Sequence, residues 1–349
     1  MTLFSLVLVA QEEKEVVTGP GYADDVYYSL ENGSVTAVAR ENWDLAFAVP
    51  PISLGVSVLT NWGSGVELYT YNLGDTASWA TLDTTGMVWT PMYNSIETFE
   101  EGAFSAHASV HPDYGWGTYG GMGLITGDSL YIIKTIAGNY KKLAVIVRNA
   151  AINIWEFKYA NLDGSDEQLV SINTGSSLAN FIYYSIDTRE ELDREPATAD
   201  WDLLFTKYWD YTIPYSVTGI LTNEDHVLAQ EVQGGGLDQT TFVEYEEAGF
   251  SSEISIIGSD WKSFNMGTFS YDVSDSVVYF LKKYGETDST YYKIYFTGFT
   301  GMSEGKYTFM QEILTAVSTD ARNLIQLLEV YPNPASEVLN VLFDHAGET

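Results

Sequence analysis

The sequence predicts an all-β chain: two tandem antiparallel β domains of the same fold, with a separate short unit at the C-terminus. Three observations carry this prediction. First, 25 Tyr, 16 Phe and 9 Trp stand among many Val, Ile and Thr, side chains that suit a pleated, half-buried surface, and 30 Gly supply turns. Second, ordered blocks of sequence recur at a spacing of about 150 residues. Third, short apolar runs bounded by turn residues fill the chain, whereas helical periodicity is scarce.

The recurrence sets the domain organisation. Tyr27-Tyr28-Ser29-Leu30 returns as Tyr183-Tyr184-Ser185-Ile186, and Asn42-Trp43-Asp44-Leu45-Ala46-Phe47 as Asp200-Trp201-Asp202-Leu203-Leu204-Phe205. Val58-Leu59-Thr60-Asn61 is answered by Ile220-Leu221-Thr222-Asn223, and Glu100-Glu101-Gly102-Ala103-Phe104-Ser105 by Glu246-Glu247-Ala248-Gly249-Phe250-Ser251. Asp128 to Lys134 pairs with Asp275 to Lys282. The order is kept through all five blocks, which chance similarity does not do. The copies span 22–172 and 178–316, a domain-sized period.

Within each copy the elements read as strands. Lys142 to Val147 follows the turn residues Gly138-Asn139. Trp155-Glu156-Phe157-Lys158-Tyr159 alternates apolar and polar, the mark of a strand with one face on a core, and runs into the turn Asn161-Leu162-Asp163-Gly164. Tyr291 to Phe296 is aromatic and β-branched and follows Gly285 to Ser289. Asp320 to Leu328 is the best short helical candidate. Trp43 and Trp201, at matching places beside aliphatic residues, are expected in the core.

Charge excludes several functions. Asp and Glu number 48 against 16 Lys and Arg, a net charge of −32, which repels nucleic-acid phosphates and anionic headgroups. The chain has no cysteine, so disulfides, thiolate metal sites and thiol nucleophiles are absent. Residues 1–10 hold the apolar run Leu3 to Ala10, which reads as the end of a secretory signal, and no other segment approaches membrane-spanning length.

No catalytic constellation emerges, so a non-enzymatic protein is expected. The histidines form no His-Glu-x-x-His, and no Gly-x-Ser-x-Gly elbow occurs. His107 and His111 stand four apart in a Gly-rich loop and are the candidate metal pair. Gly115 to Gly120 matches Gly-x-Gly-x-x-Gly, but glycines follow it in place of the helix that dinucleotide binding needs. Asn161, Asp163, Asp166 and Glu167 cluster in one turn without the twelve-residue calcium-loop pattern, and read as a solvated hairpin turn.

The blocks together resemble the HmuY-like haem-binding proteins, which are secreted or lipid-anchored all-β proteins of bacteria. The residues that carry the resemblance are the Tyr-Tyr-Ser and Trp-Asp-Leu strands, Tyr245 to Phe250, and Trp261 to Gly267. It implies a haem or porphyrin ligand, held in better-known members by two histidines. Here the first ligand position falls at or near Thr241, and at or near Ser95 in the first copy; neither supplies a nitrogen. The second falls on Met266, and near Gly121 or Met122 in the first copy, so Met266 and Met122 are the candidate axial ligands.

Val330-Tyr331-Pro332-Asn333-Pro334-Ala335 opens a segment, 326–349, similar to the first motif of a type IX secretion sorting domain, here partial. Its prolines stiffen an extended stretch that cannot join a central sheet. The resemblances imply a protein secreted or held at the outer cell surface, with the secretion machinery as partner and no membrane span. The alternative is a structural or adhesive surface component that self-associates.

Overall fold

The computed structural model describes residues 11–50, 56–234, 237, 249–285 and 289–314, with the backbone of the strands at 325–331 and 340–345. The segment 1–10, Thr241 and most of the tail lie outside the described residues.

The chain is mainly β-sheet, and the described helices are short 3-10 turns. The first strands are β1 (Glu12–Val17), β2 (Asp24–Ser29), β3 (Gly33–Ala39), β4 (Leu45–Ala48), β5 (Val58–Thr60) and β6 (Glu67–Thr70). A hairpin, β7 (Gly117–Gly121) and β8 (Leu124–Gly127), precedes β9 (Tyr131–Lys134), β10 (Tyr140–Asn149), β11 (Ile154–Asn161) and β12 (Gln168–Asn173). Next come β13 (Phe181–Ser185), β14 (Glu190–Leu192), β15 (Leu203–Asp210), β16 (Tyr215–Thr222) and β17 (Val227–Gln233). The hairpin β18 (Lys262–Asn265) and β19 (Ser270–Val273) leads to β20 (Val277–Tyr284), β21 (Ser289–Phe299) and β22 (Lys306–Leu314). Finally β23 (Ile325–Tyr331) pairs with β24 (Asn340–His345), so the stretch expected to be helical is a strand over its described part.

The strands form four layers. One outer sheet runs β1-β22-β21-β20-β17. The other contains β12-β11-β10-β9-β6 in the matching order and carries the β7–β8 hairpin against β10. Between them lie two four-stranded sheets, β16-β15-β2-β3 and β14-β13-β4-β5. Tyr28, Phe205, Phe296 and Phe309 belong to the core between one outer sheet and its inner neighbour. Phe47, Trp155, Phe157 and Tyr184 fill the equivalent core on the other side. A third core joins the two inner sheets through Tyr27, Ala46, Ala48, Tyr183 and Trp201.

This layering explains the local sequence. Leu45 and Phe47 point into one core while Ala46 and Ala48 point into the other, so β4 is buried on both faces and its apolar run does not alternate. On β11, Trp155, Phe157 and Tyr159 face the core and alternate with partly exposed Glu156 and Lys158, as the pattern predicts, while Ala160 on the second face packs in a smaller cluster with Trp79.

The pairing departs from the sequence copies. β2, from the first copy, pairs with β15 of the second, and β13 of the second pairs with β4 of the first. β1 likewise pairs with β22, while β12 pairs with β11. One sandwich is therefore continuous from β4 to β14, and the other joins β1–β3 to β15–β22. The boundaries 22–172 and 178–316 separate the copies in sequence but not the sheets in space. Among the described residues, no helix is long and apolar enough to cross a membrane.

Candidate functional site

The two inner sheets enclose a cleft of about 100 Å³. Its walls include Tyr27, Trp43, Tyr183, Arg194, Trp201 and Trp209. The recurring blocks build it. Each Trp-Asp-Leu strand is preceded by a 3-10 turn, Arg40–Asn42 or Thr198–Asp200. The amide of Asn61 donates to Arg40 O at 2.9 Å and Trp43 O at 3.1 Å, and that of Asn223 to Thr198 O and Trp201 O at 3.0 Å each. The Asn of each Leu-Thr-Asn block thus fixes the entry of the Trp strand, and with it the indole.

The aromatic contacts run crosswise between copies. Trp43 packs edge-on against Tyr183 with centroids 5.0 Å apart, and Trp201 against Tyr27 at 5.1 Å. Trp201 is only 1% exposed, as expected for a core residue, whereas Trp43 is half-buried. Both indoles line the cleft, and the Arg194 guanidinium lies 5.7 Å from the Trp43 ring centre.

Charge breaks the symmetry. Arg194 donates to Asp25 Oδ2 at 2.7 Å and to Ala39 O at 3.1 Å, and its guanidinium lies 4.8 Å from the Tyr183 ring centre. Glu195 accepts from Asn180 N at 3.0 Å and from the Tyr183 hydroxyl at 2.9 Å. Burial pushes the Glu195 carboxyl up to about 7 against the lowering effect of these donors and Arg194. In the first copy the places seven and six residues before Trp43 are Thr36 and Ala37, where the second has Arg194 and Glu195 before Trp201.

Among the described residues, four buried N–H donors at the cleft have no hydrogen-bond partner, the indole Nε1 of Trp43, Trp201 and Trp209 and Nε of Arg194, and the Thr60 hydroxyl is likewise unpartnered. All four lack an acceptor, and an unmet buried donor costs about 1–3 kcal/mol. The site is therefore poised for a molecule, or ordered water, that presents acceptors.

An aromatic shelf borders the cleft. Trp209 stacks on Tyr93 at 5.8 Å with rings 12° apart, Trp62 lies 4.6 Å from Tyr93, and Tyr211 lies 6.2 Å beyond it. Trp62 is seated by its own hydrogen bond to Met92 O at 2.7 Å, and Arg40 ties its turn down through Gly63 O and Ser64 Oγ. Gly63 is required there: a Cβ would lie 2.1 Å from Lys207 O. A trough of about 270 Å³ adjoins the cleft through Asn94 and Ser95, with Met92, Tyr93, His107 and Tyr211 on its walls.

The residues singled out in the sequence fall elsewhere or only at the margin. Met122 and Met266 are 94% and 72% exposed, each at the tip of a hairpin, β7–β8 and β18–β19, and neither lines the cleft. Gly121, Met122 and Gly123 all have positive φ, the geometry of a tight turn that points its tip into solvent. Ser95 does line the cleft and trough, although its hydroxyl accepts from the N–H groups of Glu97 and Thr98. His107 sits in the trough, 3.4 Å from Thr70 Oγ1, while the His111 ring faces Tyr114 and Tyr119. Among the described residues no group of three or more His, Asp or Glu is placed to hold a metal ion.

The other motifs have structural employment. Gly117 to Gly121 is a strand, so no helix follows the glycines. In the acidic turn, Asp163 accepts from Ser165, Asp166 pairs with Arg189, and Glu167 accepts from Trp79 Nε1 at 2.7 Å. Trp62, Trp209, Arg194 and Glu195 were not singled out by the sequence. The signal available was the local break in the repeat at Arg194-Glu195. Comparison of the chain with protein-family models, curated proteins and solved structures gives no match.

Proposed function

We propose that the chain is a secreted, non-enzymatic binding protein of HmuY-like type, made of one β-sandwich fold used twice with its leading strands exchanged. The ordered sequence blocks and the matching order of the two outer sheets support the duplication. The observation that carries the binding reading is the set of unpartnered donors, three indoles and one guanidinium, around a single aromatic cleft.

The cleft indicates the kind of ligand. Its volume of about 100 Å³ is smaller than the roughly 150 Å³ of a protein cavity that takes up benzene. An intact porphyrin does not enter it. An oxygen-bearing substituent does, with the ring that carries it lying on the shelf of Trp62, Tyr93, Trp209 and Tyr211. On this reading the haem ligand implied by the family resemblance lies on that outer shelf, where the stacked aromatic rings would favour a flat macrocycle.

Titration of the whole chain with monosaccharides, benzoates and haemin, followed by tryptophan fluorescence, tests the proposal. A saturable change that is lost in Trp209→Ala and weakened in Arg194→Met supports it. The absence of a saturable change with every compound overturns it.

The adhesive alternative draws on Tyr211 and Ile213, in the turn between β15 and β16, and Tyr215, the first residue of β16, all large exposed side chains. Concentration-dependent association in sedimentation, lost when Ile213 and Tyr215 are changed to Ser, would favour it.

A further inference from the structure

We propose a second binding site, a basic pocket beside β15 and β16 that takes a small oxyanion of phosphate type. The pocket measures about 300 Å³, and its lining includes Lys207, Lys262, Tyr22, Tyr271, Ser216 and Ser259. No carboxylate lines it, in a chain where acidic residues outnumber basic ones 48 to 16. Two of the few cations thus share one concavity whose described lining holds no carboxylate, with Asp260 and Glu41 the acids that act on them from outside it.

Both lysines have unused donor capacity. Lys262 Nζ donates to Thr218 O at 2.6 Å and Ser259 O at 3.3 Å, which leaves one of its three N–H bonds free. The same ammonium lies 4.3 Å from the Trp261 ring centre and 4.9 Å from that of Phe299, and has no ion pair among the described residues. The Nζ of Lys207, whose backbone belongs to the β15–β16 ladder, has neither a hydrogen bond nor an ion pair among the described residues. Tyr22 Oη lies beside Tyr271 and Thr218 without a hydrogen bond of normal geometry.

The electrostatics agree with this arrangement. Burial pushes the Lys262 amine down to about 7, opposed only by the nearby charge of Asp260. Burial also lowers Lys207, with Arg40 adding to the effect and Glu41 opposing it. A bound anion would offset the desolvation of both ammonium groups. Ammonium groups act as compact point charges, and hydroxyls surround them, which suits a tetrahedral oxyanion with oxygens in several directions more than a flat carboxylate.

Calorimetric titration of the whole chain at pH 6 and low salt, with inorganic phosphate and separately with glycerol 3-phosphate, tests the site. Saturable one-to-one binding is expected for at least one of them. Tighter binding of the ester would show that the tyrosine walls hold an organic part; equal binding would show that the oxyanion alone is recognised. Lys262→Met should weaken binding at least tenfold. It is the diagnostic variant because Lys207 also borders the cleft. Should Lys262→Met fail to fold, acetylation of the wild-type chain at pH 7 gives the answer: phosphate should protect Lys262 and leave Lys14 and Lys306 unprotected. No saturable binding of either probe, unchanged binding in a folded Lys262→Met, or uniform labelling would overturn the site. None of these outcomes depends on the cleft having a ligand.

Discussion

The backbone N–H of Leu30 donates to the buried carboxylate of Asp202 at 2.7 Å, joining residues 172 apart in sequence. Its counterpart is Ile186 N donating to Asp44 Oδ2, also at 2.7 Å. In return Asp202 N donates to Tyr28 O at 2.8 Å, and Asp44 N to Tyr184 O at 3.0 Å. The Asp of each Trp-Asp-Leu block therefore clamps the end of the Tyr-Tyr-Ser strand contributed by the other copy. The two clamps differ in charge. Asp202 also meets His226 at 2.9 Å and Lys283 at 3.0 Å, whereas Asp44 meets a further backbone N–H, that of Ile136, at 3.0 Å.

Asp202→Ala is expected to destabilise the protein by about 3–5 kcal/mol, because it strands Leu30 N and removes the carboxylate from Lys283 and His226. Urea denaturation measures the change. A midpoint close to wild type would mean that the exchanged strand is held by its ladder alone. Burial works against the Asp202 charge, but His226, Lys283 and Leu30 N outweigh it and keep the carboxyl below its ordinary 3.8. This contribution is present above that value and lost as pH falls through the lower folded value.

Glu195 should act with the opposite sign. Its folded value of about 7 lies above the ordinary 4.5, so between these the folded protein binds the extra proton. Its contribution is full below about 4.5 and is lost as pH rises towards 7, a change on the order of 3 kcal/mol. Glu195→Gln removes this titration. Denaturation from pH 4 to 8 should show the wild type losing stability relative to the variant as pH rises. Parallel curves would contradict the buried, protonated carboxyl.

The matching tryptophans should not be equivalent. Trp201, 1% exposed, should cost about 3–5 kcal/mol on truncation to Ala. Trp43 is half-buried at the cleft, and its truncation should cost clearly less. Equal losses in denaturant unfolding would place Trp43 in a closed core.

Gly63→Ala should destabilise by about 1–3 kcal/mol, since its new methyl would sit 2.1 Å from Lys207 O and force the Trp62 turn off β15. Tryptophan emission should change along with stability, and the change should shrink in a chain that also carries Trp62→Phe. An unchanged midpoint would show that the turn moves freely.

Much of the fold is legible in the sequence. Aromatic and β-branched runs locate β10, β11 and β21, and the repeated Trp, Asp and Asn reappear as the parts that shape and clamp the cleft. The exchange of strands is not legible, for a physical reason. Period-two patterning states which face of a strand is buried but not which partner it takes, and two similar Tyr-Tyr-Ser strands satisfy either Trp-Asp-Leu strand equally well. The cleft is half legible: its paired aromatics repeat, whereas Arg194, Glu195 and Trp209 acquire meaning only once the inner sheets face each other. The short helix expected from Asp320 shows the limit of periodicity in a brief apolar run, since Ile325–Tyr331 is a strand.

The exchanged strands also set an order of events during synthesis. β1–β3 leave the ribosome ahead of the other strands described, yet their sheet partners β15 and β22 come only after the whole of the other sandwich has been made. The inserted sandwich, β4 to β14, has all its strands available by Leu192 and can close while the earliest residues still wait. Those waiting strands carry Val26, Tyr27 and Tyr28, an apolar run with unpaired edges and a strong tendency to pair with any strand within reach. The newborn chain is consequently most vulnerable to pairing with its neighbours in the interval before Leu203, and a chaperone that shields it would find its target at β2.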